Sequence, residues 1–192
     1  MYHRGSDETL KPIRYVNANY GGDSRMRWST SGYVFRMAGG VMSWSSKLQA
    51  TIVLWTAEAE YMAITWAVQQ TLWMHTFLGE IRLDQPLSTT LYCNNASAIV
   101  IALLTKGHQC TKHINIHHHY IHEHISDGQI TLEHVPSVDN IVDIFMKALT
   151  KTLYVNNMKG LYGFWACLMQ RHLGECWSKV SVTKGVHHFF LL

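Results

Sequence analysis

The first fifty residues contain short apolar runs separated by glycine pairs, a pattern typical of β-strands joined by tight turns. Three runs are predicted to be strands, at residues 13–18, 32–37 and 41–45. The pair Gly39-Gly40 lies between two apolar runs and predicts a hairpin. Gly21-Gly22 predicts an earlier turn. The chain is therefore expected to begin with three short strands.

From about Ala57 the apolar residues recur at steps of three and four, which predicts a long amphipathic helix that ends before Pro86. Thr56 is expected to cap this helix, with Glu58 in its first turn. The remaining elements are predicted as a strand at 89–93, helices at 96–104 and 116–125, a strand at 130–134 and a helix at 140–148. Such alternation of strands and helices favours an α/β fold around one mixed sheet.

The composition is compatible with one folded domain that is poor in surface charge. Of the 192 residues, 47% are hydrophobic, which is enough for a full core. Charged residues make up 15%, against about 25% in an ordinary soluble domain. The net charge of +3 permits binding to a polyanion without requiring it.

The sequence also predicts the organisation of the chain and the compartment in which it acts. We expect a truncated N-terminal linker at residues 1–12, one α/β domain at 13–155 and an unrelated C-terminal extension at 156–192. The four cysteines form no C-x-x-C pair, and no apolar stretch is long enough to span a membrane. We therefore expect an intracellular protein, cytoplasmic or nuclear, that is not secreted and has no membrane anchor.

Four segments carry the strongest functional signal. They are residues 14–23 (RYVNANYGGD), 56–63 (TAEAEYMA), 91–98 (LYCNNASA) and 139–147 (DNIVDIFMK). Shorter connecting motifs accompany them, at residues 28–35 (WSTSGYVF), 39–40, 43–47 (SWSSK), 111–114 (TKHI), 119–121 (HYI) and 135–136. In this order and spacing they resemble the ribonuclease H domain of copia-type retrotransposon Pol polyproteins, over roughly residues 5–155.

That resemblance implies a ribonuclease H-like fold and a metal-dependent endonuclease that cuts the RNA strand of an RNA/DNA hybrid. It also implies two Mg²⁺ ions and the reverse transcriptase part of a Pol polyprotein as a neighbour. Two magnesium ions about 4 Å apart activate the attacking water and stabilise the leaving oxygen. Because Mg²⁺ prefers oxygen ligands, carboxylates are the expected ligands.

This chain departs from the family at two of the four positions expected to carry carboxylates. The catalytic positions implied by the resemblance are Asn17, Glu60, Asn94 and Asp143, where the family has Asp, Glu, Asp and Asp. Only Glu60 and Asp143 remain as metal ligands, and the formal charge of the set falls from minus four to minus two. We therefore expect this copy to be inactive or weakly active. The alternative is a non-catalytic nucleic-acid-binding remnant or a relic without function.

Basic residues and histidines supply further candidates for binding. The expected phosphate contacts are Arg25, Arg27, Lys47, Lys106 and Lys112, each of which is also compatible with an ordinary surface charge. Seven histidines lie close together, at positions 108, 113, 117, 118, 119, 122 and 124. The pairs His113/His117 and His118/His122 have the i, i+4 spacing of zinc ligands on a helix. The pattern lacks a third and a fourth ligand of defined spacing, so a solvated helix face is the default interpretation, and accidental nickel or zinc affinity is an alternative.

Overall fold

The computed structural model describes residues 12–83, 88–104 and 112–162; for residues 112–116, 118 and 162 it describes the backbone only. Five strands form one mixed sheet in the order β3-β2-β1-β4-β5. Their bounds are Ile13–Asn19 (β1), Thr30–Met37 (β2), Gly40–Leu48 (β3), Thr89–Cys93 (β4) and Ile130–His134 (β5). β1, β2 and β3 pair antiparallel, whereas β4 is parallel to both β1 and β5. All five predicted strands are present, and the expected α/β fold is confirmed.

Helices lie on both faces of the sheet. Their bounds are Thr56–Glu80 (α1), Ala96–Leu103 (α2), Lys112–Ser126 (α3) and Lys151–Tyr162 (α4), and Ile141–Phe145 forms a short 3₁₀ helix. α1, α2 and α3 pack on one face over the larger core, while the 3₁₀ helix and α4 pack on the other face. Side chains of β2 show this alternation, because Tyr33 and Phe35 join the larger core and Val34 joins the smaller one. Within the described residues, no helix is long and apolar enough to cross a membrane.

The caps of two helices differ in their chemistry. At α2, Asn95 caps the helix by accepting a hydrogen bond from the amide of Ala98. At α1 the prediction that Thr56 is the cap is wrong. Trp55 is the N-cap residue, and its side chain makes no capping hydrogen bond. Glu58 lies in the first turn of α1, as predicted.

The predicted α-helix at 140–148 is a 3₁₀ helix that spans Ile141–Phe145 instead. Side chains of the neighbouring strands hold the carbonyl groups at its end. Ser46 donates to the carbonyl of Phe145 and Asn19 donates to that of Met146. These bonds fix the backbone where an α-helix would have continued, so tertiary contacts override the local pattern.

Residues 151–162 form α4, which the sequence analysis did not predict. Leu161 is buried in the smaller core. Gly160 permits a close approach, because a Cβ atom at this position would lie 2.8 Å from Cγ2 of Ile141. α4 begins before residue 155 and ends after it, so it runs across the expected end of the domain. The division of the chain into a linker, a domain and an extension stays a prediction. Residues 163–192 of the expected extension lie outside the described residues.

Candidate functional site

The predicted site lies where β1 ends and where the helical layers of both sheet faces approach it. Val16 pairs with Cys93 of β4, so Asn17 and Asn94 follow at neighbouring parallel strands. Parallel strand ends of this kind often form ligand sites in α/β sheets. Glu60 comes from the first turns of α1 on one face, and Asp143 comes from the 3₁₀ helix on the other.

A direct hydrogen bond connects Asn17 with Asp143. Nδ2 of Asn17 donates to Oδ1 of Asp143 over 2.5 Å, and both residues are buried. Oδ1 of Asn17 accepts from the backbone amide of Ala18 at 2.8 Å. The orientation of the amide is therefore fixed, with its nitrogen toward Asp143 and its oxygen toward the backbone.

Lys147 supplies a second donor, which is positively charged, to the same carboxylate oxygen. Its Nζ lies 2.8 Å from Oδ1 of Asp143, one helical turn earlier in the sequence. Within the described ranges, this is the one ion pair between side chains. The negative charge of Asp143 is thus balanced from inside the chain, by an ammonium group and an amide N–H.

Glu60 is held nearby and is largely buried. Its Oε2 accepts from the backbone amide of Ala18 at 2.8 Å, and only 7% of the residue is exposed. Burial raises the pKa of Glu60 to about 8, against smaller opposing effects from the Ala18 hydrogen bond and from Lys147, while Asp143 raises it further. At neutral pH, Glu60 is therefore mainly a neutral acid.

Asn94 is placed beside this group but is bonded elsewhere. Its Nδ2 donates to Oγ of Ser137 at 3.0 Å, and its Oδ1 is buried without a hydrogen-bond partner in the described part of the chain. The structure therefore brings together Asn17, Glu60 and Asp143, and leaves Asn94 at the margin of the group.

Three further carboxylates lie near these segments in the sequence; two of them accept hydrogen bonds from backbone amides, and the third is exposed. Oδ1 of Asp23 accepts from the amides of Arg25 and Met26, and Oε2 of Glu58 accepts from the amide of Leu54. Asp139 lies exposed in the turn Ser137–Asp139.

These residues do not fit a two-magnesium site. Mg²⁺ needs several oxygen ligands, preferably charged. Here Asn17 directs a nitrogen into the group, Lys147 balances the charge of Asp143, and burial disfavours the ionised form of Glu60. Among the described residues, no three His, Cys, Asp or Glu side chains come together in a way that could hold a metal ion.

Two positioning residues were missed by the sequence analysis. Asn140 is completely buried, donates from Nδ2 to the carbonyl of Val16 at 2.9 Å, and accepts from the amide of Val142. It therefore fixes the 3₁₀ helix, and with it Asp143, against β1. Lys147 was missed as a partner of Asp143, although the i, i+4 spacing was a usable signal.

The candidate phosphate contacts are scattered over the fold. Arg25 and Arg27 lie exposed in the loop after β1. Lys47 lies on β3, with its Nζ 5.0 Å from the ring centroid of Trp66. Lys106 lies outside the described residues, as does the side chain of Lys112, the first residue of α3. None of these assignments is tested by a bound ligand, and they stay predictions.

The histidine cluster lies largely on α3. His117, His119, His122 and His124 are described, and His124 shares a hydrogen bond of 2.7 Å with Gln129. His108 and the side chains of His113 and His118 lie outside the described residues. Since each of the two i, i+4 pairs contains one of these side chains, the zinc hypothesis stays a prediction.

Sequence similarity relates the chain to a segment of retrotransposon Pol polyproteins. Over 150 residues the chain is 35% identical to the retrovirus-related Pol polyprotein from transposon TNT 1-94 of Nicotiana tabacum. The aligned region covers 78% of this chain and 11% of that protein. It is also 32% identical over 150 residues to the retrovirus-related Pol polyprotein from transposon RE1 of Arabidopsis thaliana. This aligned region covers 77% of this chain and 10% of that protein. The chain is a retrotransposon Pol homologue.

This Pol homologue thus spans about a tenth of the length of the curated relatives it matches. No protein-family model matches it. Among solved structures it is similar to the N-terminal RNase H domain of a Mycobacterium tuberculosis protein, with a TM-score of 0.52 and 11% identity over 79% of this chain and 98% of that chain. At such low identity the similarity shows the fold, and the Pol homologue has an RNase H-like fold.

Proposed function

We propose that this domain is the ribonuclease H part of a retrotransposon Pol polyprotein in which cleavage of the RNA/DNA hybrid has been lost or strongly impaired. The observation that carries the proposal is the hydrogen bond from the Asn17 amide to Asp143. At this position the family pattern has a carboxylate, which would share a cation with Asp143. The amide replaces that cation with its own N–H group.

The remaining groups support the same conclusion. The ammonium group of Lys147 balances the charge of Asp143, and the buried Glu60 is mainly uncharged near pH 7. None of these groups generates a hydroxide nucleophile or stabilises a leaving alkoxide in the way that two bound metal ions do. The loss of one well-placed stabilising group commonly lowers turnover by about 10²–10³-fold. With two carboxylates replaced, we infer a decrease of at least that size.

The test is cleavage of a labelled RNA/DNA hybrid in the presence of Mg²⁺. The native chain is compared with the double variant Asn17→Asp plus Asn94→Asp. Asn156→Asp on the exposed surface of α4 serves as a control for the same kind of exchange away from the site. We expect cleavage by the double variant only, at a rate at least about 100-fold above that of the native chain and the control.

Two results would contradict the proposal. If the native chain cleaves as fast as the double variant, Asn17 and Asn94 do not mark lost ligands. If neither cleaves although circular dichroism shows both to be folded, this group of residues is not a ribonuclease H site that carboxylates can repair. Adding Glu60→Gln to an active double variant should abolish its cleavage, which locates the activity in this site.

A further inference from the structure

Large apolar side chains lie exposed beside the site, where the loop after β1 meets the segment before α1. We call them the aromatic platform, and its members are Tyr20, Met26, Ile52, Leu54 and Trp55. The exposed fractions of Leu54 and Trp55 are 77% and 67%. Tyr20 donates from its hydroxyl to the carbonyl of Leu54 at 2.7 Å, and this bond joins the two parts of the platform.

Neither helix capping nor core packing accounts for Trp55. It occupies the N-cap position of α1 without a capping side-chain bond, where Ser, Thr, Asp or Asn is preferred by about 1 kcal/mol. Most of its ring is also in contact with solvent, so it contributes little to the core. An exposed aromatic group of this kind indicates a binding role more than a role in folding.

The position and the charges of the platform favour a nucleic-acid ligand. Tyr20 lies three residues after Asn17 and Trp55 lies five residues before Glu60, so the platform borders the site. Arg25 and Arg27 lie exposed in the same loop as Tyr20 and Met26. The two carboxylates of this region, Asp23 and Glu58, accept hydrogen bonds from backbone amides of the two segments.

We propose that the aromatic platform binds single-stranded nucleic acid. Unpaired bases stack on Trp55 and Tyr20, and the adjacent phosphates contact Arg25 and Arg27. Stacking on aromatic side chains is favourable for every base, whereas a duplex hides the faces of its bases inside the helix. The platform thus holds unpaired strand next to the site and gives a duplex no stacking contact. This inference rests on the proposed function in one respect, namely that nucleic acid reaches this end of the fold.

The test compares two exposed tryptophans of the same helix region. Binding of a fluorescein-labelled oligo(U) and a labelled oligo(dT) is followed by anisotropy for the native chain, Trp55→Ala and Trp73→Ala. Trp73 is a matched control, because it is 43% exposed and lies 18 residues further on, about 27 Å along α1. We expect Trp55→Ala to weaken binding of both strands about tenfold or more, and Trp73→Ala to change it less than twofold.

A second pair of measurements separates stacking from simple charge attraction. The double variant Arg25→Ala plus Arg27→Ala should make the slope of log K against log salt shallower by roughly 1.4, or about 0.7 per phosphate contact on a single strand. Trp55→Ala should leave this slope unchanged. Binding of a blunt duplex hybrid should not depend on Trp55.

Three results would overturn the proposal. Equal effects of Trp55→Ala and Trp73→Ala would show that the platform has no special role. Equal weakening of duplex and single-strand binding by Trp55→Ala would exclude base stacking. Self-association that depends on Trp55, without binding of either oligonucleotide, would identify the platform as a protein interface. Each of these results leaves the cleavage test of the double variant unaffected, so failures of the two proposals are distinguishable.

Discussion

The side-chain amide of Asn17 donates to Oδ1 of Asp143, although 126 positions separate the two residues in the sequence. The bond connects the end of β1 with the 3₁₀ helix on the opposite side of the sheet from α1. An aspartate at position 17 could donate this bond only when protonated, and two ionised carboxylates this close repel each other unless a cation or a shared proton lies between them. The amide nitrogen of Asn17 supplies a donor at this point without either, so the exchange of oxygen for nitrogen removes the repulsion that a bound cation would relieve.

Removal of the Lys147 ammonium group should destabilise the domain. We expect Lys147→Met to lower the free energy of unfolding by about 1 kcal/mol, because it leaves the buried carboxylate of Asp143 with the Asn17 amide and no counter-charge. This loss is smaller than for a fully buried ion pair, because the Lys147 side chain is 34% exposed and solvent screens its charge. Urea unfolding measures it, with Lys159→Met on the exposed surface of α4 as control. Equal losses in both variants would show that the ion pair contributes nothing specific.

The buried Glu60 should make stability depend on pH. Its pKa is about 8 in the folded chain and near 4.5 when unfolded. Below pH 4.5 both states are protonated, and this group imposes no penalty. As the pH rises toward 8, the unfolded state ionises and the folded state does not, so the stability contributed by Glu60 falls. Above pH 8 both states are ionised and the loss is constant.

The Glu60→Gln variant isolates this effect from the histidines. We expect the variant to gain stability relative to the native chain as the pH is raised from 5 to 8, with a difference of up to roughly 3 kcal/mol at pH 7. Urea unfolding of both proteins across this range gives the difference directly. A difference that does not change with pH would mean that Glu60 is ionised in the folded chain.

Arg14 is a buried charge without an ionic partner in the described part of the chain. Its residue is 1% exposed, its Nε and Nη2 make no hydrogen bond, and Nη1 reaches only the carbonyl of Pro12 at 3.5 Å. The guanidinium lies 5.4 Å from the Phe35 ring centroid, facing the larger core. Burial lowers its pKa to about 9, so it remains charged at neutral pH.

Replacing Arg14 by an apolar side chain of similar length should therefore stabilise the fold. We expect Arg14→Met to raise the free energy of unfolding by about 1–4 kcal/mol, because the desolvation of an unpaired charge is removed. The exposed Arg25→Met is the control and should change stability by less than about 0.5 kcal/mol. Destabilisation by Arg14→Met would indicate that the guanidinium has favourable interactions beyond those with Pro12 and Phe35.

The positions of the strands along the chain and the position of α1 could be predicted from the sequence, because the local sequence signals agree with the fold in these segments. Gly39 has a φ of +78° in the turn between β2 and β3, which is the conformation that a glycine pair predicts. The 3₁₀ helix could not be predicted, since Asn19 and Ser46 on distant strands bond to the carbonyls at its end. Its own N-cap residue, Asn140, bonds to Val16 of β1. α4 has two asparagines and a glycine in its interior, and its burial against Ile141 compensates for their weak helix propensity.

The candidate site likewise could be predicted only in part from the sequence. The resemblance pointed to Asn17, Glu60, Asn94 and Asp143 as neighbours. The geometry brings three of them together, whereas Asn94 is bonded to Ser137. The direction of the Asn17 amide depends on the backbone N–H of Ala18, which the order of residues does not reveal. The pairing of Lys147 with Asp143 has an i, i+4 spacing, which the sequence does contain.

The most direct test of the central claim is a magnesium titration followed by thermal unfolding. The native chain should show no Mg²⁺-dependent change in Tm, because its own amide and ammonium groups already balance Asp143. The Asn17→Asp plus Asn94→Asp variant should unfold at lower temperature without metal and should gain about 2.7 kcal/mol when Mg²⁺ is about 100-fold above its Kd. Ca²⁺ serves as a second divalent probe, and Na⁺ at matched ionic strength is the control. A native chain stabilised by Mg²⁺ as strongly as the variant would contradict the account.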